Sequence, residues 1–213
     1  MKRLMAAICL MILCYAGTAM ADYTAYVAQD VTLESVGGSY TGTGMYAGYS
    51  TSYGIEDAAL LFNQPSIPAG QAITSVTLNF DIYSTPSSTP TLNVSSNPNV
   101  GWTRYTASYS TFGVANNSLI SSIANPGEQW YSVNVTSYVL SQLASGANSF
   151  TFVLGTGQLS SSAYYGIESS LYQNGRYESY LDYQTAVVPI PAALWLFGPG
   201  LAGLMGLKRR YLG

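Results

Sequence analysis

The carboxylates are the side chains best suited to acid–base chemistry in the central part of this sequence, residues 22–186. All ten acids of the chain lie there, and this part contains no His, Cys or Lys. Nucleophilic triads, the usual zinc sites and Schiff-base chemistry are therefore excluded. Two carboxylates are enough to hydrolyse a glycosidic bond. The candidates for such a pair are Glu56 or Asp57 with Glu168, Glu178 or Asp182. Since no spacing singles out one pair, the sequence predicts a protein that is not an enzyme.

Calcium is the metal that the remaining oxygen ligands would suit best. Carboxylates and backbone carbonyls are its usual ligands in proteins. Four acids lie near the ends of the predicted domain and are candidates for a structural Ca²⁺: Asp22, Asp30, Glu34 and Asp182. Nothing resembles the spaced acidic loop of an EF-hand. No cofactor is predicted, and a structural calcium ion is kept as an alternative.

Aromatic residues with an arginine nearby indicate sugar binding. Trp102, Arg104, Tyr105 and Tyr109 lie in the loop-like stretch 99–112. Flat rings stack on sugar faces, and a guanidinium pairs with uronate or sulfate groups. The four residues are the candidates for a glycan-facing surface. The competing interpretation is core packing, which is favoured for Trp102 and more strongly for Trp130, because tryptophan usually buries most of its area.

The charge of the central part excludes nucleic acid as a partner. Ten acidic side chains and only two basic ones, Arg104 and Arg176, give residues 22–186 a net charge of −8. A nucleic-acid-binding surface needs a positive field to displace counterions. The abundant Ser, Thr, Asn, Gly and Tyr residues keep such a surface hydrated, and they also offer groups that can face sugars.

The N-terminus has the pattern of a secretory signal peptide. Lys2 and Arg3 precede an apolar stretch over residues 4–15, and Ala19 and Ala21 supply the small residues that signal peptidase requires. The cut is predicted after Ala21. The apolar stretch is too short to cross roughly 30 Å of hydrocarbon comfortably, which argues against a membrane anchor.

The C-terminus has the pattern of a membrane span. No charged side chain occurs over residues 187–207, and a transmembrane helix is predicted at about 192–207. The basic residues Lys208, Arg209 and Arg210 follow at once and are predicted to stay in the cytoplasm. Everything before the span is then predicted to lie outside.

The residues before that span carry a family resemblance. Val188, Pro189, Ile190, Pro191 and Ala192, followed by the apolar run and the basic stop, resemble a PEP-CTERM sorting signal of the variant Val-Pro-Leu-Pro-Ala type. The resemblance implies a Gram-negative host and recognition by an exosortase, which cuts near 189–191. It also implies export across the inner membrane, a transient membrane anchor, and final release or attachment at the cell surface or in the extracellular matrix.

Strand patterns dominate the central part. Apolar residues alternate with polar ones at 76–82, 133–135 and 150–154, and further strands are predicted at 25–33, 58–62, 91–95, 164–168 and 178–183. Gly, Pro and Asn clusters separate these segments, as in a sandwich or barrel. One short helix is predicted after Thr136 or Ser137, either of which can cap it, ending near Gly146.

The order of these segments carries a second resemblance. Residues 66–78 and 130–139, with Gly146 following, resemble two characteristic segments of DNRLRE-type jelly-roll domains, and 60–62, 164–169 and 180–183 resemble other strands of that family. Asn134 replaces the usual Asp, and no Arg precedes Glu168, so the charged network of the family is incomplete. The resemblance implies a jelly-roll-like β-sandwich that serves as a noncatalytic glycan-binding or matrix module.

Together these patterns predict three parts: a signal peptide at 1–21, an all-β domain at 22–186 and a sorting tail at 187–213. The leading functional hypothesis is a surface protein of the envelope or exopolysaccharide matrix, with signal peptidase, an exosortase and a polysaccharide as partners. One alternative is a glycan-active enzyme that uses two carboxylates. The other is a self-associating adhesin subunit, for which the many Tyr residues and the low charge are suggestive.

Overall fold

The structure, a computed structural model, describes residues 20–112, 114–157 and 161–188. Most of the predicted signal peptide, including Ala19, lies outside the described residues. So do sorting-motif residues 189–192, the predicted transmembrane helix and the basic stop at 208–210. Within the described part, no helix has the length and apolar character needed to span a membrane.

The described chain is mostly β-strand. The eleven strands are β1 (Met20–Glu34), β2 (Gly38–Tyr40), β3 (Gly44–Ser50), β4 (Gly54–Asn63), β5 (Gln71–Ser84), β6 (Leu92–Asn97), β7 (Ser118–Ile123), β8 (Gln129–Asn134), β9 (Ser149–Gly155), β10 (Ala163–Glu168) and β11 (Tyr180–Val187). A nine-residue helix, α1 (Thr136–Ala144), follows β8, and a single helical turn covers Tyr109–Phe112. The prediction of a β-strand protein with one short helix is confirmed.

The strands pair along one path. Their order is β2-β1-β11-β5-β10-β3-β4-β9-β6-β7, and β8 pairs with β5 outside this path. β1 also pairs with β4, which closes β1, β11, β5, β10, β3 and β4 into a ring. The register between β1 and β4 shifts between Val27 and Gln29, and such bulges bend a strand. This irregularity lies within the stretch of β1 that pairs with β4, next to the pair of Val27 with Phe62.

Two apolar clusters hold the strands together. The larger contains inward-facing residues of nearly every strand, among them Phe62, Phe80 and Phe152. The smaller lies against the opposite face of β4, where Ala59 and Leu61 are also buried. Since β4 is buried on both faces, it has a continuous apolar run. Strands with one solvent-exposed face alternate between apolar and polar residues.

The helix α1 begins without the predicted cap. Val135 occupies the N-cap position and makes no side-chain capping bond. The Thr136 hydroxyl lies instead within hydrogen-bond distance of the Val76 backbone, where it accepts from the amide at 2.8 Å. The expected cap by Thr136 or Ser137 is therefore wrong, because Thr136 ties the helix to β5. The expected end is confirmed, since Gly146 follows the helix with φ of +86°.

Two compact units account for the chain. Ala21–Pro68 and Ile73–Thr185 form the unit that contains the clusters above. The described residues of the other unit are Met20, Ala69–Ala72 and 186–188, where the Val188 amide donates to the Gly70 carbonyl at 2.8 Å.

Candidate functional site

Trp102 is a core residue and does not form part of an exposed sugar-binding surface. Its side chain is 5% exposed and belongs to the smaller apolar cluster. The indole packs edge-on against Phe112 with ring centroids 5.5 Å apart. Its N–H donates to the Thr151 hydroxyl at 3.1 Å, and that hydroxyl donates to the Asn99 carbonyl. The glycan-facing prediction for Trp102 is corrected by this burial, and the competing interpretation as core is the right one.

Arg104 is held in an ion pair. Its guanidinium lies 2.9 Å from the Asp30 carboxylate and donates to the Ser170 hydroxyl at 3.0 Å. Ser170 donates both its amide and its hydroxyl to the same carboxylate. Because the Arg104 and Asp30 side chains are only 12% and 1% exposed and pair with each other, Arg104 is a structural residue and its burial contradicts the glycan-facing prediction.

The two tyrosines among the glycan-facing candidates, Tyr105 and Tyr109, differ in exposure. Tyr105 is 83% exposed and makes no ring pair among the described residues. Tyr109 is half-buried against the smaller cluster and lines a cleft of about 380 Å³ with Asp57 and Asn93. Burial raises the pKa of Tyr109, and the Asp57 charge raises it further. The four candidates therefore do not form one exposed surface.

The predicted calcium ligands do not converge. Asp30 pairs with Arg104, Glu34 lies opposite Glu56 in the β1–β4 ladder, and Asp182 interacts with Asp22. The described residues contain no group of three or more acids that could hold a metal ion. The antiparallel register distributes the acids over separate strands, so the proposed four-acid site is not assembled.

The predicted carboxylate pairs do not form either. The acid beside Glu56 is Glu34, a residue that the pairing hypothesis did not include. The pKa of Asp57 is raised to about 7 by burial alone. Two other candidates interact elsewhere, Glu168 with Asp81 and Glu178 with Asp30. The structure thus gives no support to glycoside hydrolysis by the pairs that the sequence suggested.

An exposed row of aromatic rings lies elsewhere in the larger unit. Trp130, Tyr180 and Tyr26 form this row, with Tyr180 in the middle. The Tyr180 ring centroid lies 5.8 Å from that of Trp130 and 6.2 Å from that of Tyr26, and the planes are tilted by 51° and 55°. Trp130 is 42% exposed and Tyr26 is 60% exposed. The expectation that Trp130 is a core residue is wrong.

These rings line a cleft of about 580 Å³, called here the Trp130 cleft. Its lining residues are Thr24, Tyr26, Trp130, Gly175, Arg176, Glu178 and Tyr180. It is a concave, open surface that combines three aromatic rings with polar and charged groups.

The strand pattern explains why the rings face outward. On β1, Ala25 and Val27 are buried, so Tyr26 between them points to the opposite face. On β8, Val133 is buried, and Trp130 shares the outward parity of Ser132 and Asn134. On β11, Leu181 and Tyr183 are buried, which turns Tyr180 outward.

A tight turn brings the charged groups to the same cleft. Gln173, Asn174 and Gly175 all have positive φ, and the Glu178 amide donates to the Gly175 carbonyl at 3.2 Å. Asn and Gly adopt this left-handed backbone most readily, as the Asn-Gly turn signal in the sequence indicates. The reversal places Arg176 and Glu178 just before β11, beside Tyr180.

The charges in the cleft are available to a ligand. Within residues 20–112, 114–157 and 161–188, the Arg176 guanidinium has no carboxylate at salt-bridge distance, and it lies 5.5 Å from the ring centroid of Tyr177. Burial raises the pKa of Glu178, and the Asp30 charge adds to this effect. Tilted rings can stack on sugar faces, a free guanidinium can bind a carboxylate or sulfate, and a carboxylate can accept hydroxyl bonds. Of these groups, only Glu178 was a candidate site residue in the sequence, since Trp130 was expected in the core and Arg176 was considered only for its charge.

Comparison with known protein families identifies the family to which the β-domain is similar. The model of carbohydrate-binding module family 96 matches residues 18–181, which is about three quarters of the chain. The matched range includes all the lining residues of the Trp130 cleft. No curated protein matches the chain.

Proposed function

This chain belongs to carbohydrate-binding module family 96, and we propose that its β-domain binds an acidic polysaccharide in the Trp130 cleft as part of the cell envelope or matrix. Carbohydrate-binding modules are noncatalytic domains, which agrees with the absence of His, Cys and Lys from residues 22–186. The finer resemblance to DNRLRE-type jelly-roll domains belongs to the same proposal.

The exposed ring row is the observation that supports this location most directly. Trp130 and Tyr26 expose large apolar faces to solvent, where they cost free energy unless a ligand covers them. Three rings in a row match the repeating faces of a sugar chain better than one isolated ring would. Arg104 is paired with Asp30, so Arg176 is the cation of residues 22–186 that remains for a ligand, and it favours a sugar with a carboxylate or sulfate group.

Affinity electrophoresis of the purified full chain tests the proposal. Polygalacturonate serves as the acidic probe and hydroxyethyl cellulose as the neutral one. We expect Trp130→Ala to weaken binding to the acidic probe by roughly thirtyfold, because a tryptophan that a ligand covers is typically worth about 2 kcal/mol or more. Arg176→Gln should weaken binding to the acidic probe by about tenfold, the size of a charge-assisted hydrogen bond. It should leave any binding to the neutral probe unchanged.

Tyr105→Ala is the matched control, because Tyr105 is an exposed aromatic residue outside the cleft. It should retain the affinity of the unmodified protein. Equal binding by Trp130→Ala and the unmodified chain would place the glycan site elsewhere. No binding to any acidic polysaccharide would remove the function itself.

Export and sorting form the second part of the proposal. The chain enters the export pathway by its N-terminal segment and is cut by signal peptidase after Ala21. An exosortase then recognises the Val188–Ala192 motif, and residues 208–210 hold the tail at the inner membrane until the cut. The mature domain is released or attached at the surface of a Gram-negative bacterium. This route rests on the sequence patterns and the sorting-signal resemblance alone.

Mass spectrometry of the protein recovered from the cell surface tests the route. We expect a mature N-terminus at Asp22 and a C-terminus near Pro191. Surface protein that retains Lys208 to Gly213 would contradict sorting by cleavage. Retention of residues 1–21 would contradict export by a cleaved signal peptide.

A further inference from the structure

A second aromatic cleft, called here the Glu56 cleft, has the opposite charge. Four tyrosines from different parts of the fold line it: Tyr40, Tyr46, Tyr53 and Tyr164. Tyr46 is central, with its ring centroid 5.8 Å from Tyr40 and 5.3 Å from Tyr164, the latter at an interplanar angle of 77°. The volume is about 340 Å³. The Tyr46 ring meets the Tyr40 ring at 35° and the Tyr164 ring at 77°, so the rings line the cleft from more than one side.

Two carboxylates complete the lining. Glu34 and Glu56 are direct cross-strand partners in the β1–β4 ladder, so their side chains lie on the same face. Both are buried, and Glu56 is only 3% exposed. The Glu56 Oε2 atom has no hydrogen-bond partner among the described residues. No basic side chain lines the cleft.

A buried carboxylate oxygen without a partner is costly, and a ligand that supplies positive charge or a donor would relieve this cost. The surrounding groups restrict what the ligand can be. Aromatic faces carry partial negative charge and attract a cation within about 6 Å. Carboxylates and ring faces therefore act in the same direction, since both favour positive charge.

We propose that the Glu56 cleft binds a substituted ammonium group, with Glu34 and Glu56 as counter-charges and Tyr40, Tyr46, Tyr53 and Tyr164 as the aromatic cage. The carrier is an amino sugar with a free amine or a methylated amine, and both present the same cationic nitrogen. A divalent metal fits less well, because Ca²⁺ takes six to eight oxygen ligands. The proposal is independent of glycan binding in the Trp130 cleft.

Protonation of Glu56 gives the site a characteristic pH dependence. Burial raises the pKa of Glu56 to about 7, and the Glu34 charge adds to the shift. Burial also raises the pKa of Glu34. The other groups that face this pair are the four tyrosines of β2, β3, β10 and the turn before β4. A bound cation requires ionised Glu56, so proton and ligand compete for it.

Isothermal titration of the full chain tests the proposal with tetramethylammonium, glucosamine and glucose. We expect the two amines to bind and the neutral sugar to show no binding in this cleft. Affinity for tetramethylammonium, whose charge does not change with pH, should rise about tenfold from about pH 6 to about pH 8, as the ionised fraction of Glu56 grows. Tighter binding of glucosamine would identify an amino sugar as the carrier, and tighter binding of tetramethylammonium would identify a methylated amine.

Variants separate the carboxylate from the cage. Glu56→Gln should weaken amine binding more than tenfold and remove the pH dependence, since the charge is lost while the shape is kept. Tyr53→Ala changes an exposed ring and should weaken binding by about fivefold, the size of an exposed cation–π contact. This second variant keeps the test valid if Glu56→Gln folds poorly. Tyr105→Ala is the control that should bind the amines normally, because Tyr105 lies outside both clefts.

Three results would overturn the proposal. The first is that neither amine binds. The second is that glucose binds as tightly as glucosamine, which would indicate a neutral sugar site. The third is that Ca²⁺ binds more tightly than both amines in a manner that depends on Glu56, which would indicate a metal site.

Discussion

Two regions of the molecule contain the same kinds of side chain but use them differently. The segment over residues 99–112 has a tryptophan and an arginine, Trp102 and Arg104, and both are buried with partners. The Trp130 cleft also has a tryptophan and an arginine, Trp130 and Arg176, and both are exposed. Trp130 contacts the neighbouring ring of Tyr180 at the surface, and Arg176 has no carboxylate at salt-bridge distance within the described chain. Residue type therefore does not distinguish a structural site from a binding site here.

The difference lies in how each region is assembled. Trp102 and Arg104 are close in sequence. Their segment packs over the face of β4 that belongs to the smaller apolar cluster and buries Leu61 there. Trp130 and Arg176 are far apart in sequence and meet because β8 and the turn before β11 reach the same cleft. The residues that cover β4 therefore come from one continuous segment of the sequence. The residues of the Trp130 cleft come from separate strands and a turn.

Replacement of the two tryptophans tests this comparison with the largest expected effect. Trp102→Ala should lower the free energy of unfolding by about 4 kcal/mol, because a buried indole and its hydrogen bond to Thr151 are lost. Trp130→Ala should lower it by less than about 1 kcal/mol, since the ring is half exposed. Urea unfolding followed by circular dichroism measures both values.

Equal destabilisation by the two variants would break the comparison. Trp102→Phe is the milder control, because it keeps an aromatic ring in the cluster and removes the indole N–H. Its loss in the free energy of unfolding should lie between the losses of Trp102→Ala and Trp130→Ala. At temperatures where Trp102→Ala remains folded, it should still bind the glycan.

Replacement of the two arginines gives the next largest effect. Arg104→Ala should destabilise the fold by about 3 kcal/mol, because it leaves the Asp30 carboxylate buried without a counter-charge. Arg176→Ala should change stability by at most about 0.5 kcal/mol. Thermal unfolding of both variants at one pH measures the difference.

The double change of Arg104 and Asp30 sharpens this test. Arg104→Met with Asp30→Leu removes both charges, so it should be less destabilising than Arg104→Ala alone. If Arg104→Ala were as stable as the unmodified chain, the ion pair would be merely a surface contact, and Arg104 could again be considered for ligand binding.

The core strands could be predicted because burial on one face makes apolar and polar residues alternate along the strand. The alternation over residues 76–82 predicts β5, which spans Gln71–Ser84, and the pattern at 150–154 predicts β9, which spans Ser149–Gly155. Three strands were not predicted: β2, β3 and β7. In β3, small residues such as Gly48 and Ala47 occupy positions where larger apolar residues would have shown the pattern.

The candidate site could have been found by the same alternation. Val133 was recognised as inward, and that parity already placed Trp130 on the outer face of β8. Tyr180 likewise precedes inward Leu181. The convergence of three strands and a turn on one cleft could not be predicted, because strand order is set by long-range pairing that leaves no local mark in the sequence.

Glu56 extends the comparison to a buried carboxylate that no arginine contacts. Asp30 and Glu56 are both buried, but only Asp30 has a cation beside it. Burial and the Glu34 charge raise the pKa of Glu56 to about 7, and burial raises that of Asp57 to about 7. A carboxyl whose pKa is raised by folding stabilises the protein fully below its unfolded pKa, and this contribution is lost as the pH rises through the folded value.

The smallest of these effects is therefore a loss of stability from about pH 4.5 to about pH 7, the window between the unfolded and folded pKa values of Glu56. Glu56→Gln should match the unmodified chain at the acidic end and be more stable by about 1 to 2 kcal/mol at the upper end. Urea unfolding across this range measures both curves. Asp30→Asn should not show this gain in stability, because the substitution removes the ion pair between Asp30 and Arg104. A Glu56→Gln curve parallel to that of the unmodified chain would mean that Glu56 already has a counter-charge, and the contrast between the two carboxylates would be lost.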